Sequence, residues 1–480
     1  MLTAKQHAAE IVRTLRSRGH QAYLAGGCVR DLLLSREPAD YDVATDATPQ
    51  QVMQIFPETY AVGEQFGVVL VPFKADTTKD REGDKPARTE SFGGRVVPGA
   101  MGGSGKQRYL FLPPSLRKSV EVATFRSDVG YSDGRHPDEV RFTKDPREDV
   151  QRRDFTINGM MLDPATNEIL DFVGGRDDLK AGIVRAIGEP ERRFAEDKLR
   201  MLRAVRFAAR FDYLIDPATM SAIQKLAPQI RQVSCERVRE ELTKMLTEGR
   251  ASRAFALLDI SGLLPEVLPE IAAMKGVEQS PEYHPEGDVF VHTLLLLEKL
   301  PPNCSKTLAW GALLHDVGKP PTFRVAPERI RFDGHVEVGV KMAAEICRRL
   351  RFSNDETDQI LALVDNHMRF ADVHRMKQST LKRFLRLPAF DEHLELHRLD
   401  CLSSHGNLDA YDFSREQLRA MPPEAIRPTP LITGRDLIEA GYEPGPRFKE
   451  MLATVEDAQL EGRLASREAA MEFVQREFPL

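Results

Sequence analysis

The sequence has few cysteines and no excess of positive charge. Its five cysteines, Cys28, Cys235, Cys304, Cys347 and Cys401, include no CxxC pair. That spacing argues against a disulfide framework or a zinc ribbon and favours buried thiols. The formal net charge is -6 at pH 7. The surface as a whole is therefore not basic, and nucleic acid would have to bind through a local patch.

Long hydrophobic runs are also missing. No apolar stretch reaches the ~18 residues that a membrane span needs, and the first twenty residues form an amphipathic pattern without the apolar core of a signal peptide. We therefore expect a cytoplasmic protein without membrane contact. A chain of 480 residues is too long for one hydrophobic core, so three or four domains in series are predicted.

Strands and helices alternate over about the first 160 residues. Apolar strands are predicted at AYLAGG, YDVATDA, FGVVLVPF and KSVEVATFR. Between the second and third of them, Thr48 is the predicted N-cap of a helix that has Pro49 in its first turn and stops at Pro57. From about Glu191 onward the pattern is almost purely helical, with a proline-rich linker, AMPPEAIRPTPLITG, before the last helices. The chain thus predicts a small α/β domain followed by helical domains.

Residues 74–117, between the last two predicted strands, have a different composition. They are rich in glycine and in charged residues and show little periodicity, which is typical of a long insertion in a hairpin. Their GAMGGSGKQ stretch resembles a phosphate loop. The GxxxxGK[ST] pattern fails, however, because Ala100 replaces its first glycine and Gln107 its serine or threonine.

Acidic residues and a glycine turn predict a metal and phosphate site in the first domain. Asp40 and Asp42 alternate along a predicted strand, so their side chains should face one side. Such carboxylates repel each other unless a cation lies between them, and oxygen ligands suit Mg²⁺ shared with substrate phosphates. Glu121, on a neighbouring strand, is the candidate third carboxylate. Gly26 and Gly27 would let a phosphate approach the backbone, although such a pair is more often only a tight turn.

These features combine with three further motifs in a fixed order. GGCVRD and DYD are followed by RRDFTINGM at 152–160, DFVGG at 171–175 and EDKLRMLRAVRF at 196–207. In this combination the sequence resembles the class II tRNA nucleotidyltransferase and bacterial poly(A) polymerase family. The resemblance is close over about residues 23–249. It implies an α/β head at 1–160 (with the insertion 74–117), an all-α neck and body at 161–265, an HD domain at 266–425 and a helical tail at 426–480.

The resemblance also implies roles for individual residues. Asp40 and Asp42 would be catalytic ligands of Mg²⁺, and Glu121 would assist them. Asp154 would accept a hydrogen bond from the ribose 2′-hydroxyl, which a carboxylate can do. The residues implied in phosphate binding are a glycine and four arginines: Gly27, Arg30, Arg153, Arg203 and Arg206. Without the other motifs, Arg153 and Asp154 would be interpreted more simply, as a solvated arginine beside a helix N-cap.

Asp197 and Arg200 are the predicted base-selecting pair. Their spacing would make them neighbours on one helix, which by itself is typical of an ordinary surface ion pair. Cytosine and adenine both present an amine beside a ring nitrogen that accepts a hydrogen bond. A carboxylate and a guanidinium would match both bases, whereas uracil and guanine would set a carbonyl against the carboxylate, a mismatch worth as much as ~10⁴-fold. The pair would therefore select CTP and ATP without a nucleic-acid template.

A second set of metal ligands is predicted in the helical part. The order H…HD…H…H…D resembles the HD-domain metal-dependent phosphohydrolases. The residues implied in this second divalent metal site are four histidines and two aspartates: His292, His315, Asp316, His335, His367 and Asp400. Imidazoles with a bridging aspartate can hold one or two ions that activate water against a phosphoester. The other histidines of this region, such as His284, are interpreted as non-ligands.

The sequence thus predicts an enzyme that adds CCA to the 3′ end of tRNA from CTP and ATP, with a phosphohydrolase activity in the HD domain. The loop at 127–151 has the full length that accompanies addition of A in this family. Arg237 and other basic residues of CERVREELTKMLTEGRASRAF could follow an RNA backbone, although most such charges are simply solvated. Three alternatives stay open: a poly(A) polymerase or A-adding enzyme, a phosphohydrolase with a head that only binds RNA, and a non-catalytic RNA-binding scaffold.

Overall fold

The structure, a computed structural model, describes residues 3–61, 67–72, 119–130 and 139–479 except 281, 283, 286 and 328. The predicted insertion at 74–117 lies outside the described residues. The chain divides into two compact units: Met1–Met245 with Arg253–Leu268, and Leu246–Ser252 with Pro269–Leu480. None of the helices in the described part is long and apolar enough to cross a membrane.

The first unit contains a seven-stranded mixed sheet. The strands of this unit are β1 Ala22–Ala25, β2 Asp42–Thr45, β3 Tyr60–Ala61, β4 Val68–Pro72, β5 Ser119–Thr124, β6 Arg126–Val129, β7 Glu139–Phe142, β8 Met160–Leu162, β9 Ile169–Asp171, β10 Ile183–Val184 and β11 Leu214–Ile215. The sheet order is β3-β4-β5-β2-β1-β8-β9, while β6 pairs with β7 and β10 with β11. The predicted α/β head is therefore confirmed.

One parallel pair of strands determines the position of two predicted site residues. β2 and β5 run parallel with Asp42 opposite Glu121, and the other neighbouring strands of the large sheet are antiparallel. Along β5 the buried residues alternate with partly buried ones, as expected for a strand with one face toward the core. A core cluster between the sheet and its helices includes Ala44, Phe125 and Met161.

Helices surround this sheet and make up nearly all of the second unit. In chain order up to residue 267 they are Ala4–Ser17, Gly27–Leu33, Pro49–Ile55, Pro146–Gln151, Gly175–Ala181, Pro190–Glu196, Leu199–Phe211, Pro217–Leu226, Cys235–Thr247, Ala251–Ile260 and Leu264–Val267, with 3₁₀ turns at Thr156–Asn158 and Ala227–Gln232. The predicted N-cap is confirmed, because the Thr48 hydroxyl accepts from Gln51 N and the Gln51 side chain accepts from Thr48 N. That helix ends at Ile55, before Pro57.

The second unit is helical, as predicted. Its helices are Pro269–Ala272, Val289–Glu298, Lys306–Leu314, Lys319–Thr322, His335–Arg349, Asn354–Asn366, Gln378–Leu385, Phe390–Ser403, Asp409–Ala420, Pro423–Ile426, Gly434–Glu439, Pro446–Leu460 and Arg467–Glu477, with a 3₁₀ segment His367–Arg375 and a short hairpin of β12 Arg324–Val325 and β13 Ile330–Arg331. One hydrophobic cluster forms around Phe370 and Phe384, and another, in the last helices, around Leu437 and Val474.

Three local expectations differ from the structure. The second strand begins only at Asp42, so the exposed Asp40 precedes it instead of alternating within it. Residues 127–151 are not simply an exposed loop, because their described part includes β6, β7 and the helix Pro146–Gln151, which begins with the Asp145 side chain accepting from Arg147 N. Asp197 does not share a helix with Arg200, because its extended backbone ends one helix before the next begins at Leu199.

Candidate active site and metal centre

The turn between β1 and the helix Gly27–Leu33 passes close to an arginine. Gly26 has φ 80° and ψ -134°, a backbone conformation essentially restricted to glycine. A Cβ added at Gly26 would lie 2.8 Å from Nη1 of Arg153. The backbone angle therefore requires glycine, and a side chain at this position would also have to displace the Arg153 guanidinium.

Three acidic side chains lie near the start of β2, close to that turn. Asp42 and Glu121 face each other across the parallel strands. Burial and then the Glu121 carboxylate raise the pKa of Asp42 to about 7, against the effect of Arg153 and with a further contribution from Asp40. A buried carboxyl group whose pKa is raised by neighbouring carboxylates belongs to a fit donor set for a divalent cation, because the charge of the cation would relieve their repulsion.

Arg153 and Asp154 each have a charged protein partner. Arg153 donates through Nε and Nη2 to Asp149 Oδ2, at 3.3 and 3.0 Å. Arg203 donates through Nε and Nη2 to Asp154 Oδ2, at 2.9 and 2.5 Å. Burial alone would raise the pKa of Asp154, but the Arg203 guanidinium and a hydrogen bond from Asn158 lower it to about 2. Within the described residues Nη1 of both arginines makes no hydrogen bond, so it can face an anionic ligand.

Arg30, a predicted phosphate ligand, is buried with its guanidinium enclosed. It donates to Asp31 Oδ1 at 2.9 Å and to Asn158 Oδ1 at 2.6 Å, and its guanidinium carbon lies 4.6 Å from the centre of the Phe211 ring. Burial is the main cause that lowers the pKa of Arg30, against the opposing effect of Asp31. Asn158 thus connects Arg30 with Asp154, to which its amide also donates.

Asp197 and Arg200 both line one cavity of the first unit, and each already has partners within the protein. Asp197 Oδ2 accepts from Arg237 Nη2 at 2.8 Å, and its Oδ1 accepts from Leu199 N at 3.1 Å. Arg200 donates to Glu196 Oε2 at 2.8 Å and to two backbone carbonyls. Both side chains are therefore held in place before any base arrives, as a preorganised recognition pair requires.

Arg206 is paired with an acidic side chain from another helix. Its Nε donates to Glu241 Oε2 at 2.6 Å, and both side chains are almost fully buried, with 7% and 3% exposed. Burial would raise the pKa of Glu241, but Arg206, with help from Arg203 and Lys244, lowers it to about 2. This pair joins the helix Leu199–Phe211 to the helix Cys235–Thr247.

A cavity of about 500 Å³ in the first unit collects most of the predicted residues. Those in its lining are Gly26, Gly27, Arg30, Asp42, Arg153, Asp154, Asp197, Arg200 and Arg203. Asp40, Glu121 and Arg206 do not line it. Sequence reasoning missed Asn158 and Phe207 in the lining and expected Arg237 only along RNA. The bond between Asp149 and Arg153 was missed as well, although their spacing of four residues is one at which side chains pair on a helix.

The six predicted ligands of the HD set come together in the second unit. They form two groups with ligand atoms within 4.8 Å of one another: His292, His315 and Asp400, and Asp316, His335 and His367. His292 Nε2 lies 3.1 Å from Asp400 Oδ1. Coulombic attraction to His315 and Lys319 outweighs burial, which would raise the pKa of Asp316, and holds it well below the usual range.

Three of the histidines are oriented by backbone carbonyls. Nδ1 lies 2.9 Å from Ala312 O in His315, 3.0 Å from Phe332 O in His335 and 2.7 Å from Val364 O in His367. A carbonyl can only accept, so each Nδ1 donates to it, and the neutral form of each ring then presents the lone pair of Nε2. These Nε2 atoms are buried and make no hydrogen bond among the described residues. Oriented imidazoles of this kind fit a metal ion.

Models of known protein families match three successive segments of the chain. Residues 22–85 and 104–185 match the model described as "Poly A polymerase head domain". Residues 212–275 match "Probable RNA and SrmB- binding site of polymerase A", and residues 288–397 match "HD domain".

The individual proteins to which the chain is similar are CCA-adding enzymes. The chain is 37% identical to the CCA-adding enzyme of Geobacillus stearothermophilus over 54% of its own length, and it spans about half of that relative, 53%. It is 27% identical to the CCA-adding enzyme of Bacillus licheniformis over 97% of this chain and 96% of the other. The crystal structure of the Bacillus stearothermophilus CCA-adding enzyme in complex with CTP superposes with a TM-score of 0.70 at 26% identity, covering 99% of both chains.

Proposed function

We propose, on the premise that this chain belongs to the family of tRNA nucleotidyltransferases and poly(A) polymerases and carries an HD domain, that it is a template-independent enzyme adding CCA to the 3′ end of tRNA from CTP and ATP. The reaction joins the tRNA 3′-hydroxyl to the α-phosphate of the nucleotide and releases pyrophosphate. We assign it to the cytoplasm and keep the four domains at 1–160, 161–265, 266–425 and 426–480 as part of the proposal.

One observation carries the proposal. Asp42, the glycine turn and the Asp197–Arg200 pair line one cavity. A nucleoside triphosphate needs a cation site, donors for its phosphates and a polar edge for its base, and these three elements can supply them. The relatives that are CCA-adding enzymes add support.

Asp40 and Asp42 would hold Mg²⁺, and Glu121 would assist from the adjacent strand. Mg²⁺, when bound, supplies activation of the attacking oxygen and neutralisation of charge on the leaving pyrophosphate. The Nη1 groups of Arg153 and Arg203 would bind triphosphate oxygens, with the Gly27 backbone beside them. Arg30 would contribute positive charge from the lining of the cavity, and Asp154 would accept from the ribose hydroxyl while Arg203 keeps it ionised.

Base selection would use the cavity side of Asp197 and Arg200. Asp197 keeps lone pairs beyond the bonds from Arg237 and Leu199 N, so it can accept from the amine of cytosine or adenine. The Arg200 guanidinium would donate to the neighbouring ring nitrogen. Uracil and guanine would place a carbonyl against the carboxylate and leave buried polar groups unmatched.

The nucleotide test uses tRNA that lacks its CCA end. Incubated with CTP, ATP, UTP or GTP separately and then with CTP and ATP together, the chain should add C and A in limited number and reject UTP and GTP. Long A tracts on any RNA would favour the poly(A) polymerase alternative. Asp40→Ala and Asp42→Ala should abolish pyrophosphate release in Mg²⁺. Unchanged turnover would instead favour a phosphohydrolase whose head only binds RNA.

We further propose a metal-dependent phosphohydrolase activity for the HD domain, carried by the three oriented imidazoles. His292, His315, Asp316, His335, His367 and Asp400 would hold one or two divalent ions that activate water against a phosphomonoester or a 2′,3′-cyclic phosphate. Hydrolysis of such substrates by the full chain with Mn²⁺, Co²⁺, Ni²⁺ or Mg²⁺ tests this second activity. His335→Ala should remove hydrolysis and leave CCA addition intact.

A further inference from the structure

The two oxygens of the Asp316 carboxylate face different ligand groups. Oδ2 lies 3.1 Å from Nε2 of His315 and 4.0 Å from Nε2 of His292. Oδ1 lies 3.9 Å from Nε2 of His335 and 3.8 Å from Nε2 of His367. Asp316 therefore connects two neighbouring subsites, one on each oxygen. We name them the Oδ2 subsite, with His292, His315 and Asp400, and the Oδ1 subsite, with His335 and His367.

A buried lysine already occupies one of these oxygens. Lys319 lies one turn after Asp316 in the chain, and its Nζ is 2.7 Å from Asp316 Oδ2. Only 8% of its side chain is exposed. The ammonium therefore competes with any cation for the Oδ2 lone pairs, whereas Oδ1 carries no such contact among the described residues.

Gln279 holds this lysine in position. Lys319 Nζ donates to Gln279 Oε1 at 2.6 Å, and the glutamine is 2% exposed. An ammonium has no acceptor, so the amide must present its oxygen to Lys319 and direct its nitrogen elsewhere. That nitrogen, Nε2, is buried without a hydrogen-bond partner among the described residues. The glutamine thus leaves one of its own polar atoms unsatisfied while it fixes the ammonium.

We propose that Lys319 is an internal cation that weakens metal binding at the Oδ2 subsite, so that the HD centre binds its first divalent ion at the Oδ1 subsite. The inference rests on the proposed metal centre and adds an order of filling to it. Two positive groups on one carboxylate oxygen repel each other, and the low exposure of the cluster leaves little solvent to screen them. Gln279 is a positioning residue in this arrangement, because it acts through Lys319.

The test is a metal titration of the full chain after removal of metal by a chelator. Co²⁺ is the probe, followed by calorimetry and by its visible absorption, with bound metal counted after dialysis. The HD centre of the wild type should show two Co²⁺-binding events, one strong and one weaker. In Lys319→Met the weaker event should strengthen by roughly tenfold or more. Lys319→Arg, which keeps the charge, should resemble wild type.

Two further variants complete the design. Gln279→Leu removes one anchor of the ammonium and should give an intermediate strengthening. Lys306→Met is the matched control, because Lys306 is 64% exposed, pairs with Glu356 at 3.8 Å and lies in the same unit. It should leave both events unchanged. The head contributes equally to all variants, so differences between them report the HD centre. Fluorescence of Trp310, buried in the same unit, checks folding.

The outcomes separate this inference from the function on which it rests. Two equal binding events in wild type, or no change in a folded Lys319→Met, would overturn the inference and leave the hydrolase proposal standing. Absence of Co²⁺ from the HD centre in every variant would overturn both. If Lys319→Met does not fold, the comparison of Gln279→Leu with Lys306→Met decides: unequal titrations support the inference and equal ones refute it.

Discussion

The buried pair of Arg206 and Glu241 offers the sharpest test of how this structure is held together. Arg206 Nε lies 2.6 Å from Glu241 Oε2, and the two side chains are 7% and 3% exposed, respectively. Removing one member of such a pair leaves an uncompensated buried charge, which costs about 3–5 kcal/mol. Glu241→Gln should therefore lower the free energy of unfolding of the first unit by that amount, which corresponds to roughly 10 °C in Tm.

A control for this prediction exists in the same unit. Arg231 and Glu266 are also 2.6 Å apart, but Arg231 is 69% exposed. Exposed pairs contribute about 0–1 kcal/mol, so Arg231→Met should barely move Tm. Calorimetry of the full chain measures both variants. The only tryptophan, Trp310, lies in the second unit, so its fluorescence transition should stay unchanged.

The same ion pair should make the stability of the first unit depend on pH. The folded-state pKa of Glu241 is about 2, below the ordinary value of 4.5. A depressed pKa contributes stability that is present above the ordinary value and is lost as pH falls through the folded value. Glu241→Gln should therefore flatten the loss of stability between about pH 4.5 and pH 2.

The double variant Arg206→Met/Glu241→Leu should recover much of the loss, because an apolar pair of similar volume leaves no buried charge. The reasoning is refuted if Glu241→Gln costs no more than Arg231→Met. It is also refuted if Arg206→Met raises KM for CTP without lowering Tm, since Arg206 would then be a phosphate ligand and not a structural residue.

Three further predictions concern the first unit. Gly26→Ala should reduce nucleotide addition by more than tenfold and lower stability by about 1–3 kcal/mol, whereas Gly19→Ala, with φ 88° and nothing within 4 Å of its Cβ, should only lower stability; equal activities in a steady-state assay would contradict this. Arg237→Ala should lower the ratio of kcat/KM for CTP to that for UTP, because Asp197 loses the bond that orients it, and an unchanged ratio would remove Arg237 from base selection. Deleting residues 74–117 should leave nucleotide addition largely intact, and complete loss in a folded deletion would show that the segment reaches the site.

Local patterns predicted much of the fold because the signals are carried by neighbouring residues. The N-cap at Thr48 is one example, because a cap needs only a few adjacent positions. Asp197 shows the limit. The pattern continued as one helix across it, and nothing local indicated that its extended backbone would separate two helices.

The site was predictable in composition but not in its internal pairing. Most of the predicted nucleotide-binding residues line one cavity, yet Arg206 faces Glu241, 35 positions away in the chain. Partners so distant are joined only by the packing of two helices. The same is true of Gln279 and Lys319, which are 40 positions apart, and no short motif could have connected them.

The backbone carbonyls that orient His315, His335 and His367 have a consequence for metal exchange. Imidazoles fixed in this way do not have to reorganise when an ion leaves, so loss of the ion should not unfold the second unit. Binding would then be uncoupled from folding, in contrast to small zinc domains that collapse on chelation. The ion found in this centre would reflect the supply in the cell more than any trapping during biosynthesis.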